Sequence, residues 1–82
     1  MRKIYYETNY GCVKFKLKSV LEKRNMTIYG LSKLSGIKYD TIKDYYNNAN
    51  TFYSFEAIAK ICYVLDCDIE ELIEYSKYYS YN

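Results

Sequence analysis

Four side chains between positions 39 and 44 carry the most concentrated chemistry in this chain: Tyr39, Asp40, Lys43 and Asp44. At helical spacing they share one outer face, on which two carboxylates accept hydrogen bonds, an ammonium donates them and a phenol does both. Such a face can read another polar surface. The plainer role for Asp40 and Lys43 is a solvent-facing i, i+3 pair worth ~0.2–0.5 kcal/mol. Catalysis is poorly served, because the chain has no histidine and a general base would have to be a carboxylate. Glu70, Glu71 and Glu74 fall on a short helix, where solvated charge is the ordinary explanation. Cys12, Cys62 and Cys67 are spaced like no zinc motif, and no glycine-rich phosphate loop follows a strand. No enzyme, metal site, cofactor or small-molecule ligand is implied, and the thiols are expected to be reduced, with Cys62 in the core.

The segment that must hold this face, residues 26–47, reads as two short helices joined by a tight turn. Thr27 suits the N-cap of the first helix, Leu31 and Leu34 are expected to face inward, and Gly36 can take the left-handed conformation that ends it. Ile37 then packs beneath the turn. The second helix starts near Tyr39 and points Ile42 with Tyr45 or Tyr46 back to the core. Ser32 is small where the two helices must cross closely.

Leu31, Ser32, Gly36 five residues after Leu31, the aliphatic Ile37 directly after it, and the pair Thr41-Ile42 together resemble the helix-turn-helix of Cro/CI-type (XRE-like) regulators, over residues 13–75. The resemblance implies sequence-specific binding of double-stranded DNA with helix 39–46 in the major groove. Tyr39, Asp40, Lys43 and Asp44 would then face base edges, Asp40 or Asp44 accepting from cytosine N4 and Lys43 donating to guanine. Thr27, Tyr29, Lys33, Lys38, Thr41 and Asn47 become the candidates for phosphate contacts. Where family members often carry a phosphate-holding glutamine, this chain has Ile28.

Length and charge bound the rest. Eighty-two residues suit a single domain, with a core about 13–75 and flexible or strand-forming tails. No apolar run approaches the ~20 residues of a membrane span, and Met1-Arg2-Lys3 leads into tyrosines and Glu7 instead of an apolar signal core, so a cytoplasmic chain is expected. Net charge is only +2, but residues 1–43 hold ten basic side chains against three acidic ones, +7, while residues 44–82 hold two against seven, −5. That polarity suits a molecule that offers one end to a polyanion and keeps the other away.

The remaining elements follow from periodicity. Val13, Phe15 and Leu17 alternate with lysines as a strand that runs into helix one, which turns Leu17, Val20 and Leu21 inward and ends near Asn25. Residues 47–51 form a loop by composition, and Ser54 suits the N-cap of a fourth helix with Phe55, Ile58, Ile61, Cys62 and Leu65 on one stripe. Asp68 and Glu71 make a capping box for a short fifth helix with Ile69, Leu72 and Ile73 on its apolar face. The expected fold is all-α, a five-helix Cro/CI-like domain with room for short N- and C-terminal strands. Of the thirteen tyrosines, those in the tails fit an A/T-rich codon bias, and Tyr45 and Tyr63 fit partly buried packing.

These features point to a small transcriptional regulator, a repressor that occludes a promoter as a homodimer, with Ile69, Ile73, Tyr75, Tyr78 and Tyr79 as the dimer surface. An alternative of another class is a protein-interaction module, an antirepressor or inhibitor with the same fold and a DNA face blunted by Asp40, Asp44 and Ile28.

Overall fold

The computed structural model of the chain describes residues 10–49 and 52–77. Strand β1 (Cys12–Phe15) leads into helices α1 (Leu17–Arg24), α2 (Ile28–Ser35), α3 (Tyr39–Tyr46), α4 (Phe55–Leu65) and α5 (Ile69–Leu72), and strand β2 (Ile73–Ser76) follows directly. The fold is mostly helical, and an all-α description falls short by the antiparallel ribbon in which β1 pairs with β2, Cys12 opposite Ser76 and Phe15 opposite Ile73. Lys16 N–H extends that pairing by donating to Leu72 O at 2.6 Å. The expected arm over residues 1–9, loop positions 50 and 51, and the tail from residue 78 lie outside the described residues.

Local signals explain where the helices begin and stop. Thr27 Oγ1 accepts from Gly30 N–H at 2.9 Å and Ser54 Oγ accepts from Ala57 N–H at 3.3 Å, so both expected N-caps form. Asn25, Gly36 and Asp66 end α1, α2 and α4 in the left-handed conformation, with φ of 54°, 77° and 50°. Gly30 lies inside α2. The capping box at α5 does not form: Asp68 makes no side-chain cap bond, and Glu71 instead faces Arg24 at 3.6 Å.

Leu17, Val20 and Leu21 of α1, Leu31 of α2, Ile42 and Tyr45 of α3, and Ile58, Ile61 and Leu65 of α4 make one core with Phe15 and Leu72. Several apolar side chains expected there lie outside it. Leu34 is 65 % exposed, Phe55 89 % and Tyr63 88 %, because α2 and α4 each bury one narrow stripe and these positions lie off it. Val13 faces solvent while its neighbour Cys12 is buried; Phe15 and Leu17 stay inward as expected, so burial along the strand does not follow the strict alternation. Ile69 is exposed and Ile73 belongs to β2, half-buried against the core, which leaves Leu72 as the anchor of α5. Cys62 packs against the core from a half-buried position.

Three side-chain clamps join these short elements. Phe15, Tyr45 and Tyr53 form an aromatic triad with ring centroids 4.6–5.1 Å apart, and the Tyr45 hydroxyl accepts from Ser54 N–H at 3.2 Å. Asn48 satisfies both backbone groups of Phe15, its Oδ1 accepting at 2.7 Å and its Nδ2 donating at 3.0 Å. Arg24 donates to Leu65 O and Asp66 O at 2.7 and 3.0 Å, tying the end of α1 to the end of α4. Beside that junction, burial first, and then the charge and hydrogen bonding of Cys62, push the Cys67 thiol up to about 11.

Two glycines should respond differently to alanine. Gly11 has φ +89°, and an added Cβ would collide with Ser76 O and lie 2.9 Å from Lys77 Cα; Gly36 has φ +77° but open space around it. Gly36→Ala therefore carries only the left-handed strain of about 1–2 kcal/mol, whereas Gly11→Ala adds overpacking for a loss of about 2–4 kcal/mol. Thermal unfolding of the two variants checks the order, and equal losses would contradict the close approach of β2 to Gly11.

Candidate nucleic-acid interface

The arrangement of α2 and α3 begins with the turn between them. Gly36 N–H donates to Ser32 O at 3.0 Å, Ser32 Oγ donates to Ile37 O at 2.7 Å, and Ile37 N–H donates to Ser35 Oγ at 3.1 Å. Ser32 is thus small for close packing and also a hydrogen-bond donor that holds the first residue past the turn. With Leu31 and Ile42 fully buried beneath, the outer face of α3 is set relative to the start of α2.

That outer face carries Tyr39, Asp40 and Lys43 exposed to solvent, with Asp44 half-buried at its edge. Asp40 and Lys43 are not joined by an ion pair; the described ion pairs are Arg24 with Glu71 and Lys60 with Glu56. Asp40 occupies the first turn of α3, where its charge favours the positive end of the helix by ~0.3–1 kcal/mol. Lys38, the N-cap residue of α3, makes no side-chain cap bond and is exposed.

The start of α2 differs in one respect: its first turn holds no acidic residue. Thr27 Oγ1 takes Gly30 N–H, so Ile28 and Tyr29 present backbone N–H groups without intrahelical acceptors at a positive helix end, the usual environment for a phosphate oxygen. Lys33 lies over the Tyr29 ring, 5.5 Å from its centroid, and is exposed. Thr41 is half-buried on α3, and Asn47 caps that helix at its far end, exposed.

An open cleft of about 400 Å³ brings part of this set together. Thr27 and Tyr29 from α2, Tyr39 and Tyr46 from α3, and Lys18 and Glu22 from α1 line it. Lys18 is absent from the sequence-based candidates, although it adds a cation beside the start of α2. Its only sequence signal is its charge, since the approach of α1 to Thr27 is a tertiary fact. The proposed dimer residues are less concentrated: Ile69 and Tyr75 are exposed, Tyr75 donates its hydroxyl to Tyr10 O at 2.6 Å, and Ile73 packs on the core. Tyr78 and Tyr79 lie outside the described residues. Among the described residues no group of His, Cys, Asp or Glu side chains is arranged to hold a metal ion, and no helix is long and apolar enough to cross a membrane.

Comparison with known proteins agrees with this geometry. Residues 16–77 match the Cro/C1-type HTH DNA-binding domain, and the chain belongs to that family. It is 34 % identical over 53 residues, 65 % of this chain and 72 % of the relative, to the SPbeta prophage-derived uncharacterized HTH-type transcriptional regulator YopS of Bacillus subtilis (strain 168). Among solved structures, the transcriptional regulator VanUg superposes with a TM-score of 0.68 at 25 % identity, covering 93 % of this chain and 99 % of that one. A Bacteroides fragilis protein shares the fold with a TM-score of 0.69 at 24 % identity, over 77 % of this chain and 100 % of that one.

The turn supplies a stability test. Ser32→Ala removes a hydrogen bond to a half-buried carbonyl and should cost about 1–3 kcal/mol, while Ser32→Leu adds bulk between packed helices and should cost more, with about 1–3 kcal/mol from overpacking on top. Urea unfolding measures both, and a stability unchanged by Ser32→Ala would remove the hydroxyl from the account of the turn.

Proposed function

We propose that the chain is a sequence-specific duplex-DNA-binding repressor, acting as one helix-turn-helix domain that pairs as a homodimer and occludes a promoter. The observation that carries this reading is the exposed set of Lys33, Lys38 and Lys43 on α2 and α3, none of them in an ion pair, beside an α2 start that has unpaired N–H groups and no acid in its first turn. Tyr39, Asp40, Lys43 and Asp44 would meet base edges from the major groove. Thr27, Tyr29, Lys33, Lys38, Thr41 and Asn47 would hold phosphates, with Lys18 added from the cleft. One short α3 spans few base pairs, so selectivity calls for two copies about one DNA turn, ~34 Å, apart.

Asp40 in the first turn of α3 favours a second reading, a protein-interaction module in which the acids weaken DNA binding and another protein is the target. The two readings part on the behaviour of the charges. A gel-shift titration against the DNA upstream of the chain's own coding sequence, at two salt concentrations, tests both.

Lys43→Ala should relax preference at one operator position by about 1–3 kcal/mol, whereas Lys33→Ala and Lys38→Ala should weaken all sequences alike and each reduce the salt slope by about 0.9. Unchanged operator preference in Lys43→Ala would move the reading face elsewhere.

Replacing Asp40 and Asp44 together by asparagine separates base reading from repulsion. If the acids read cytosine, affinity for the best site falls while nonspecific binding rises; if they only repel phosphates, both rise. Should neither change in the titration, α3 does not enter the groove.

A further inference from the structure

The three most exposed large hydrophobic side chains among the described residues cluster at one helix. Phe55 and Tyr63 lie on α4, and Phe52, 87 % exposed, stands two residues before its N-cap. Phe55, Ala59 and Tyr63 recur at i, i+4 and i+8, a continuous stripe opposite the buried Ala57, Ile58, Ile61 and Leu65. Glu56 and Lys60 run along one flank of this stripe, 4.0 Å apart and exposed.

We infer that this face of α4 docks a second copy of the same chain, antiparallel about a two-fold axis at Ala59. The stripe matches itself in that arrangement, and only there do the charged flanks of the two copies face each other. Ala59 meets its own copy at the centre, where a small side chain lets the helices approach, and Phe55 of each chain lies against the partner's Tyr63. The two-fold also puts the charged flanks of both copies on the same side, so that each Glu56 faces the partner's Lys60. Buried aromatics cover ~150–250 Å² each; Phe55 and Tyr63 of both copies give about 600–1,000 Å², to which Ala59 and the stems of Glu56 and Lys60 add, the size of a small, reversible interface. The inference deepens the proposed regulator by assigning its pairing surface, and that surface is not the C-terminal one suggested by the sequence.

Sedimentation of the full chain without DNA tests it. The wild-type chain should dimerise at micromolar concentration, and Ala59→Arg should make it monomeric with an unchanged far-UV circular dichroism spectrum. Glu56→Lys and Lys60→Glu should each weaken association about tenfold or more, because like charges then meet across the axis. An equimolar mixture of those two variants should associate as strongly as wild type, since every facing pair is again opposite in sign. A wild-type monomer, a dimer that survives Ala59→Arg, a dimer lost on Ile69→Asp or Tyr75→Asp alone, or charge variants that fail to complement would each overturn the assignment. DNA binding is read separately by gel shift on a single half-site. A wild-type monomer that still binds that half-site removes the interface and keeps the regulator; a wild-type dimer that binds no DNA does the reverse.

Discussion

The geometry of the α2–α3 turn is the constraint on which the proposed interface depends. Each of these helices has eight residues, fewer than the ~12–15 an isolated helix needs to be stable in water. Their relative placement must therefore come from the turn and from what lies beneath it. Gly36 supplies the left-handed backbone, Ser32 reaches across to Ile37, and Leu31 and Ile42 exclude water below. The start of α2 and the outer face of α3 consequently behave as one surface, and the backbone donors of Ile28 and Tyr29 keep a fixed relation to Tyr39 and Lys43.

Farther from the turn, the same shortage of helix length is met by side chains that bond to distant backbone. Asn48 treats Phe15 as a neighbouring strand would, Arg24 closes the left-handed end of α4, and Tyr45 meets the N-cap residue of that helix. Each joins segments that a small core would hold only weakly. The β1–β2 ribbon belongs to the same set, since it fastens the chain before α1 to the chain after α5. Helix α3 thus inherits rigidity from both ends, through Gly36 at its start and Asn48 after its finish.

How much of this was legible depended on whether the signal was local. The caps Thr27 and Ser54, the stop at Gly36 and the outward set on α3 follow from a few neighbouring residues, and they stand in the structure as read. Leu34, Phe55 and Tyr63 did not, because helical spacing admits two faces for an apolar residue near a stripe's edge and only the packing partner decides between them. Asp68 and Glu71 had the spacing of a capping box, yet Arg24 from a remote helix takes Glu71. Val13 shows the strand version: Phe15 and Leu17 lie inward as the alternation expects, but Cys12 is covered in place of Val13, so the alternation fails at the strand's start. In the site, Lys18 was invisible for the same reason, since nothing near it in the sequence records that α1 passes the start of α2.

Charge placement then bears on why a molecule of this kind would work in pairs. The acids Asp66, Asp68, Glu70, Glu71 and Glu74 all lie from the end of α4 onward, while Lys33, Lys38 and Lys43 lie on α2 and α3, so a net charge of +2 understates the local attraction for a polyanion. On the proposed assignment, the three phosphate-facing lysines Lys18, Lys33 and Lys38 would give a salt slope of about 2.7, or a loss of about 40-fold in affinity between about 50 and 200 mM salt. Two copies on one duplex square that factor, to about 2,000-fold over the same range. A single copy would thus hold DNA weakly and lose most of that hold as salt rises, with Asp40 and Asp44 reducing nonspecific adhesion further. Pairing of the proposed kind would multiply the electrostatic and base-reading contributions together, and a small domain with a muted charge would then discriminate one site from many.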